Sequence, residues 1–205
     1  DQNPSSISTF GGDTYTPNLD RMAEEGMKFT RAYVSSSVCT PSRYTFLTGR
    51  FAGNSYSKRY IDEVGGKENQ GLPNFNVSLE RDNMNVGNVL REAGYTTGFV
   101  GKYHLTSKLD FPEFYKGKNG WIDIPKDASP SPETSDQFKH NERWMCRYLQ
   151  TLGFSWAKNV YPENIHNPYS SHNPEWTTAA ALKFIEENKD GPFYLHLCST
   201  LLHGP

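Results

Sequence analysis

Two helix–strand pairs limit the fold of this chain more than any other feature of its sequence. A helix predicted over residues 85–93 ends at a glycine and is followed by a buried strand over residues 95–100. A second helix, which begins at Asn173, is followed by a strand over residues 193–198. Strands that alternate with helices in this way run parallel in one sheet. The sequence therefore predicts an α/β fold, with a mostly parallel central sheet flanked by helices.

The first third of the chain contains three further signals. Thr16 and Pro17 suit the start of a helix that ends at Gly26. Residues 27–34 are rich in strand-forming side chains and predict a strand. The Gly- and Asn-rich residues 53–76 predict an exposed excursion with little chemistry.

Residues 106–172 interrupt the alternation of predicted helices and strands and contain many Pro, Ser and Asn residues. We interpret them as an insertion or a long surface segment that contains one helix over residues 136–149. A linker between two domains is the alternative interpretation. A length of 205 residues favours a single domain.

Composition argues against several classes of partner. The formal net charge is -2, and the absence of a Lys/Arg-rich stretch argues against binding to nucleic acid or to an anionic membrane. No apolar segment approaches the roughly 20 residues of a spanning helix, and the opening DQNPSS is not typical of a signal peptide. Three cysteines, Cys39, Cys146 and Cys198, do not make a disulfide framework. If Cys39 is modified, the other two can pair or stay free.

The segment over residues 39–50, CTPSRYTFLTGR, is the most informative for chemistry. Thr40 suits an N-cap and Pro41 suits the first helical position, so a helix is predicted to start beside Cys39. The free N–H groups and the positive dipole end of such a helix attract anions. Arg43 lies about one turn further on, so its guanidinium can reach back towards the group that Cys39 carries. A tetrahedral oxyanion fits this setting.

Cys39 has two other interpretations. A random cysteine is most often a buried, inert side chain before an ordinary helix. A thiolate nucleophile of the phosphatase kind requires an arginine at position 45, where this chain has Thr45. We therefore set the thiolate interpretation aside.

Three basic side chains follow the two predicted strands. In an extended chain Lys102 and His104 point the same way, so both are presented at the carboxyl end of the strand over residues 95–100. Open α/β sheets place their sites at that end. His203 follows the strand over residues 193–198, and an imidazole that titrates near neutrality suits general acid work. Taken alone, a solvated lysine and a hydrogen-bonded histidine are the default interpretation.

Four segments resemble the sulfatase family, which belongs to the alkaline phosphatase superfamily, and they occur in the family's order: TPNLDRMAEEG, CTPSRYTFLTGR, GYTTGFVGKYHL and PFYLHLCSTLLHGP. The resemblance implies that residues 1–205 are the N-terminal portion of a sulfatase catalytic domain. The first strand and the C-terminal part of such a domain are then missing. We expect this portion alone to be inactive.

The resemblance also implies a catalytic set. Cys39 is expected to be oxidised to formylglycine by a formylglycine-generating maturation enzyme. In the hydrated aldehyde, one hydroxyl attacks sulfur and the second later expels sulfate. Arg43 and Lys102 are expected to stabilise charge on the sulfuryl oxygens, and His104 and His203 to handle protons.

A metal ion is part of the same expectation. Asp1 resembles the second of the paired aspartates that bind Ca²⁺ or Mg²⁺ in sulfatases, and the group derived from Cys39 is the other predicted ligand in this chain. Hard carboxylate oxygens suit these cations. A frayed terminal aspartate is the alternative.

The predicted function is therefore the hydrolysis of a sulfate ester, carried by an aryl group, a small molecule or a glycan. Two alternatives stay open: a phosphate mono- or diester hydrolase of the same superfamily, and a non-catalytic module that binds sulfated glycans. By family analogy the location is periplasmic, secreted or lysosomal.

Overall fold

The computed structural model describes residues 4–64, 71–105, 120–165, 173–200 and residue 203. The chain forms two compact units, Asp1–Val34 with Leu201–Pro205 and Ser35–Thr200. Within the described residues, no helix combines the length and the apolar character that crossing a membrane requires.

The first unit contains a helix that the sequence predicts correctly. Its described elements are two 3₁₀ turns, Pro4–Ser6 and Ser8–Phe10, and helix α1, Pro17–Glu25. Thr16 precedes the helix and Gly26 follows it, as expected. The Thr16 hydroxyl does not cap its own helix; it accepts a hydrogen bond from the Ser8 N–H at 3.1 Å. The side chain therefore ties the turn to the helix.

The strand predicted over residues 27–34 is wrong. The backbone there forms no strand, and Met27, Phe29 and Tyr33 are 75%, 66% and 91% exposed. A strand needs a neighbour for its backbone N–H and C=O groups. The described strands all lie in the second unit and pair with one another. Strand-forming side chains alone are therefore not enough here.

The second unit is a parallel sheet whose strands alternate with helices along the chain. Its described elements are α2 (Cys39–Thr48), α3 (Lys58–Val64), α4 (Val86–Glu92), β1 (Thr96–Lys102), α5 (Pro132–Thr151), β2 (Trp156–Tyr161), α6 (Asn173–Asn188) and β3 (Phe193–Cys198). Strand β1 lies between β2 and β3 and pairs parallel with both. The predicted α/β fold is confirmed.

The two helix–strand pairs form as the sequence predicts. Asn85 caps α4, because its side-chain oxygen accepts the Asn88 N–H at 3.2 Å. Gly94 follows with φ +87, the left-handed conformation that ends helices and favours glycine. The strand β3 has the predicted bounds, and β1 runs two residues further than expected, to Lys102.

Gly101 allows β1 and β3 to approach each other closely. Its φ is +94, and a β-carbon at this position would lie 2.2 Å from the carbonyl oxygen of Cys198. The register of β1 against β2 also shifts between Val100 and Gly101. A residue with a side chain would push the strands apart, so this position requires glycine.

The main hydrophobic core joins β1 to α5. Phe99 of β1 is fully buried, as are Met145 and Leu149 of α5. A smaller group of buried side chains lies by α6, where Phe184 packs against Trp156 with ring centroids 5.1 Å apart. Both sides of the sheet are therefore covered, as a parallel sheet requires.

The structure differs from the surface interpretation of residues 106–172 in their described part, 120–165. Helix α5 is longer than the expected helix over 136–149 and supplies much of the main core. Strand β2, which was not predicted, extends the sheet. The expected excursion over residues 53–76 also differs, since Tyr60 and Val64 of α3 are buried. Both segments are polar in composition but contain a stripe of apolar residues that is buried in the fold.

Candidate active site

Helix α2 begins at Cys39, so the N-cap predicted at Thr40 is wrong by two residues. Val38 is the N-cap; its backbone is extended, and its carbonyl accepts the Ser42 N–H at 3.1 Å. The Thr40 hydroxyl instead donates to the His104 carbonyl at 2.8 Å. This bond fixes the start of α2 against the end of β1. Cys39 therefore lies in the first turn, where helix N–H groups are unpaired and the dipole is positive.

His104 is the direct neighbour of Cys39. Its Nδ1 lies 3.0 Å from Cys39 Sγ. The residue has φ +54, an unusual left-handed backbone for a non-glycine residue, and its N–H donates to the Pro162 carbonyl at 2.8 Å. Its ring also packs on Phe75, with centroids 5.3 Å apart. The histidine is therefore held from several sides.

The expected alternation of Lys102 and His104 along one strand does not explain their positions. Strand β1 ends at Lys102, and the backbone turns before His104. Both residues nevertheless meet α2, His104 through Cys39 and Lys102 through its carbonyl oxygen. The turn, rather than strand periodicity, brings them to one place.

Arg43 donates from Nη1 to the Lys102 carbonyl at 2.8 Å. Burial raises the pKa of the Cys198 thiol at the end of β3, and the nearby Arg43 guanidinium lowers it. The Nε of Arg43 is buried and has no hydrogen-bond partner among the described residues. Leaving such a donor unpaired costs about 1–3 kcal/mol, which marks Nε as a place for a ligand oxygen.

Lys102 is a buried cation, with 1% of its surface exposed. Burial lowers the pKa of its ammonium group, and the nearby charge of Arg43 lowers it further. The groups of Cys39, Glu163 and Cys198 act in the opposite direction. Two cationic groups therefore meet near the start of α2, which is the electrostatic setting of an anion site.

Burial favours the neutral forms of other titratable side chains along β3. Burial raises the pKa of the Cys198 thiol. Burial and the charge of Arg43 lower the pKa of His196 to about 4. The Tyr194 hydroxyl lies 2.9 Å from Nδ1 of His196, and the His196 ring packs on Phe99. These contacts give His196 a structural role. Cys39, Cys146 and Cys198 are all free thiols.

The far end of α2 is held by a buried carboxylate, Glu80. Tyr44 donates its hydroxyl to Glu80 at 2.9 Å, and Ser55 donates at 2.8 Å. The Tyr56 N–H donates at 3.0 Å, and Arg50 approaches at 3.5 Å. Arg50, at the end of the Cys39 segment, also pairs with Asp82. We call Glu80 and these partners the Glu80 network.

Burial and Glu80 together raise the pKa of Tyr44 to about 12. Sequence reasoning missed Glu80, since no local pattern distinguishes it from a surface glutamate. Arg50, the last residue of the segment over residues 39–50, is the one local signal of a buried acidic partner.

Two other predicted site residues, His203 and Asp1, stay predictions. His203 belongs to the first unit, with Leu201–Pro205. Asp1 lies outside the described residues. Within the part of the chain that the structure describes, no cluster of three His, Cys, Asp or Glu side chains could hold a metal ion.

The class of protein is shown by its similarity to known proteins. The family model for sulfatases matches residues 1–205, and the chain belongs to the sulfatase family. The arylsulfatase of Hemicentrotus pulcherrimus is 29% identical over 197 residues, which cover 90% of this chain and 32% of that protein. The N-acetylgalactosamine-6-O-sulfatase of Bacteroides thetaiotaomicron is 39% identical over 92 residues, 44% of this chain and 16% of that protein.

A solved structure supports the fold alone. The crystal structure of Ps i-CgsB matches 100% of this chain and 44% of its own chain, with a TM-score of 0.53 and 23% identity. The present chain therefore spans about a third of the first of these relatives and less than half of the solved protein. Its relatives are hydrolases of sulfate esters, and the family generally uses formylglycine and calcium.

Proposed function

We propose that this chain is the N-terminal portion of the catalytic domain of a sulfuric ester hydrolase, with Cys39 as the precursor of its formylglycine. The observation that carries the proposal is the position of Cys39. It lies in the first turn of α2, 3.0 Å from a histidine nitrogen. Arg43 and the buried Lys102 lie at the same end of the sheet.

A formylglycine fits this position. It is similar in size to the cysteine, and an oxygen in place of Sγ keeps a hydrogen-bond partner in His104. When present, the group supplies an oxygen nucleophile that is regenerated in each catalytic cycle. His104 Nδ1 is then placed to hold or accept a proton at that oxygen.

Arg43 and Lys102 are proposed to bind the sulfuryl oxygens. The unpartnered Nε of Arg43 offers one donor, and the Lys102 ammonium offers a charge in a buried setting. Arg43 is preorganised, because its Nη1 is already fixed by the Lys102 carbonyl. Donors that need no rearrangement stabilise charge that develops in the transition state. His203 remains the proposed acid for the leaving group.

The described residues do not by themselves form a metal site. Asp1 and the group derived from Cys39 remain the proposed ligands for Ca²⁺ from this chain. The roles proposed for Arg43, Lys102 and His104 depend on their own contacts and not on the ion.

The substrate is proposed to be a sulfated sugar or an aryl sulfate. A relative named as an N-acetylgalactosamine-6-O-sulfatase supports the sugar, and one named as an arylsulfatase supports the aryl ester. Neither the phosphoester hydrolase nor the non-catalytic module gains support from the contacts or from the relatives.

The test uses the full-length enzyme that carries this chain, produced together with a formylglycine-generating enzyme. Peptide mass spectrometry is expected to find formylglycine at position 39, and hydrolysis of 4-nitrophenyl sulfate is expected to exceed that of 4-nitrophenyl phosphate. Cys39→Ala is expected to lower kcat by at least about 1,000-fold, because the nucleophile is lost. Cys146→Ala, at another free thiol, is the matched control. An unmodified thiol with full activity would overturn the proposal, as would a preference for the phosphate ester.

A further inference from the structure

A cavity of about 580 Å³ opens beside the carboxyl end of β2. Its walls come from residues 121–128, from α5, from residues 158–165 and from Trp176 of α6. The volume lies within the range of small-molecule sites, about 300–1,000 Å³. The residues proposed to act on the sulfate do not line this cavity, and neither does the Glu80 network.

Hydrogen bonds hold the walls of the cavity in place. The Asn141 side chain accepts the Ile122 N–H at 2.9 Å and donates to the Ile122 carbonyl at 2.8 Å. Glu142 accepts the Asn159 N–H at 2.9 Å, and the Asn159 side chain donates to the Trp176 carbonyl at 2.6 Å. Asn159 itself has φ +55, a conformation that asparagine tolerates. The cavity is therefore formed before any ligand binds.

The lining combines aromatic faces with charged groups. Trp176 is 39% exposed and stacks on Tyr161 at an interplanar angle of 28°. Asp123 and Glu163 add carboxylates to the same cavity, and Lys158 adds an ammonium group. A sugar ring has an apolar face and a rim of hydroxyls, and it matches an indole surrounded by such acceptors and donors. A plain aryl group would leave the carboxylates without a hydrogen-bond donor from the ligand.

The cavity adjoins the proposed sulfate site at the carboxyl ends of β1 and β2. Tyr161, in the cavity wall, is the strand partner of Lys102 in the ladder between β2 and β1. Paired strands lie about 4.8 Å apart. Glu163, also in the wall, is close enough for its charge to act on Lys102. His104, whose Nδ1 lies 3.0 Å from Cys39 Sγ, donates its N–H to the carbonyl of Pro162 at 2.8 Å, and Pro162 lines the cavity. The cavity therefore begins next to a residue of the proposed sulfate site.

We propose that this cavity is the leaving-group subsite of the enzyme and that it takes a pyranose ring stacked on Trp176, with Asp123 and Glu163 as acceptors for its hydroxyls. The inference rests on the proposed function. It makes Trp176 a specificity-determining residue that touches the sugar and not the reacting sulfur.

The experiment compares two kinds of substrate on the full-length enzyme. One is 4-nitrophenyl sulfate, and the other is the better of N-acetylglucosamine 6-sulfate and galactose 6-sulfate. Trp176→Ala is expected to lower kcat/KM for the sulfated sugar by at least about tenfold, the usual effect of removing an aromatic contact. The same variant is expected to change kcat/KM for the aryl sulfate by less than about threefold. Trp176→Phe should keep most of the activity on the sugar.

Two further variants guard against a change in folding. Leu182→Ala, at an exposed position of α6 outside the cavity, is the matched control and should affect neither substrate. Glu163→Gln should lower kcat/KM for the sulfated sugar with little change in Tm. The Tm of Trp176→Ala is compared with that of the wild type. The Asn159 side chain bonds the backbone carbonyl of position 176, so this contact survives the substitution.

Each outcome decides the inference. An equal loss on both substrates, or no loss on either, overturns the leaving-group subsite while the proposed function stands. Hydrolysis of the aryl sulfate with no turnover of either sugar also overturns it. If the wild type hydrolyses nothing, the proposed function fails. In that case, the binding of N-acetylglucosamine is measured by quenching of tryptophan fluorescence. Quenching that is abolished in Trp176→Phe supports the cavity as a sugar site, and an absence of quenching in the wild type overturns the inference.

Discussion

The two ends of helix α2 come from one short sequence segment, but they differ in whether their buried polar groups have hydrogen-bond partners. At the Arg50 end, Glu80 is buried with hydrogen bonds from Tyr44, Ser55 and the Tyr56 backbone. At the other end, Arg43 has a buried nitrogen without a partner among the described residues.

The difference separates residues that hold the helix from residues that are available to a ligand. A buried charge whose partners are all present contributes to a fixed position. A buried cation with donors to spare favours an incoming anion. The first group should therefore affect stability more than chemistry, and the second should do the reverse.

Lys102→Met gives the largest expected difference between the two ends. Loss of the ammonium should lower kcat/KM for a sulfate ester on the order of 100-fold or more, the effect of removing one charge-stabilising donor. The free energy of unfolding should stay the same or rise, because an apolar side chain of similar volume replaces a desolvated charge. Steady-state kinetics and urea unfolding measure the two quantities.

Lys183→Met is the control for Lys102→Met. Lys183 is about half exposed and pairs with Glu187 on the surface of α6, so neither activity nor stability should change appreciably. A Lys102→Met enzyme that is clearly less stable and keeps its activity would contradict the assignment of Lys102 to ligand binding.

Glu80→Gln is the corresponding change at the Arg50 end. Removal of the charge weakens several hydrogen bonds at once and leaves Arg50 with fewer acceptors, so the free energy of unfolding should fall by about 2–4 kcal/mol. The kcat of the molecules that remain folded should change by less than about threefold. Chemical denaturation and active-site titration give these values.

The exposed pair of Glu186 and Lys189 supplies the matched control for Glu80. Glu186→Gln should change the free energy of unfolding by less than about 0.5 kcal/mol. If Glu80→Gln behaves like Glu186→Gln, the Glu80 network does not hold the helix.

The smallest expected effect concerns the pH dependence of stability at the same end. The pKa of Tyr44 is raised to about 12 in the folded protein, above its ordinary value of 10.0. The neutral hydroxyl is thus favoured by folding, and its contribution is complete below pH 10 and is lost as pH rises towards 12. Tyr44→Phe should make the fall in Tm over this range shallower. If Tm falls with pH equally steeply in the two proteins, Tyr44 is not the cause of this pH dependence.

Local signals predicted much of the fold. Asn85 caps its helix and Gly94 ends it, and strand β3 has the bounds that its apolar run indicates. The meeting of Cys39 with His104 at the carboxyl end of β1 also agrees with the general placement of sites in such sheets. These features depend on residues close together in sequence or on a general rule of topology.

Other features depend on distant partners and could not be predicted. Glu80 meets Tyr44 across 36 positions of sequence and Tyr56 across 24. Strand β2 lies in a segment with the composition of a loop, and it joins the sheet by pairing with β1. The residues over 27–34 show the converse, with strand-like side chains and no strand beside them among the described residues.

The Nε of Arg43, buried without a partner among the described residues, has a consequence for the proposed binding of oxyanions. The folded chain carries a desolvation penalty of about 1–3 kcal/mol at that atom, and an oxygen that accepts its hydrogen removes the penalty. Part of the affinity for a tetrahedral anion is therefore fixed when the polypeptide folds, and it lowers the stability of the folded protein without a ligand. Ligand recognition and conformational stability are coupled here through a single nitrogen.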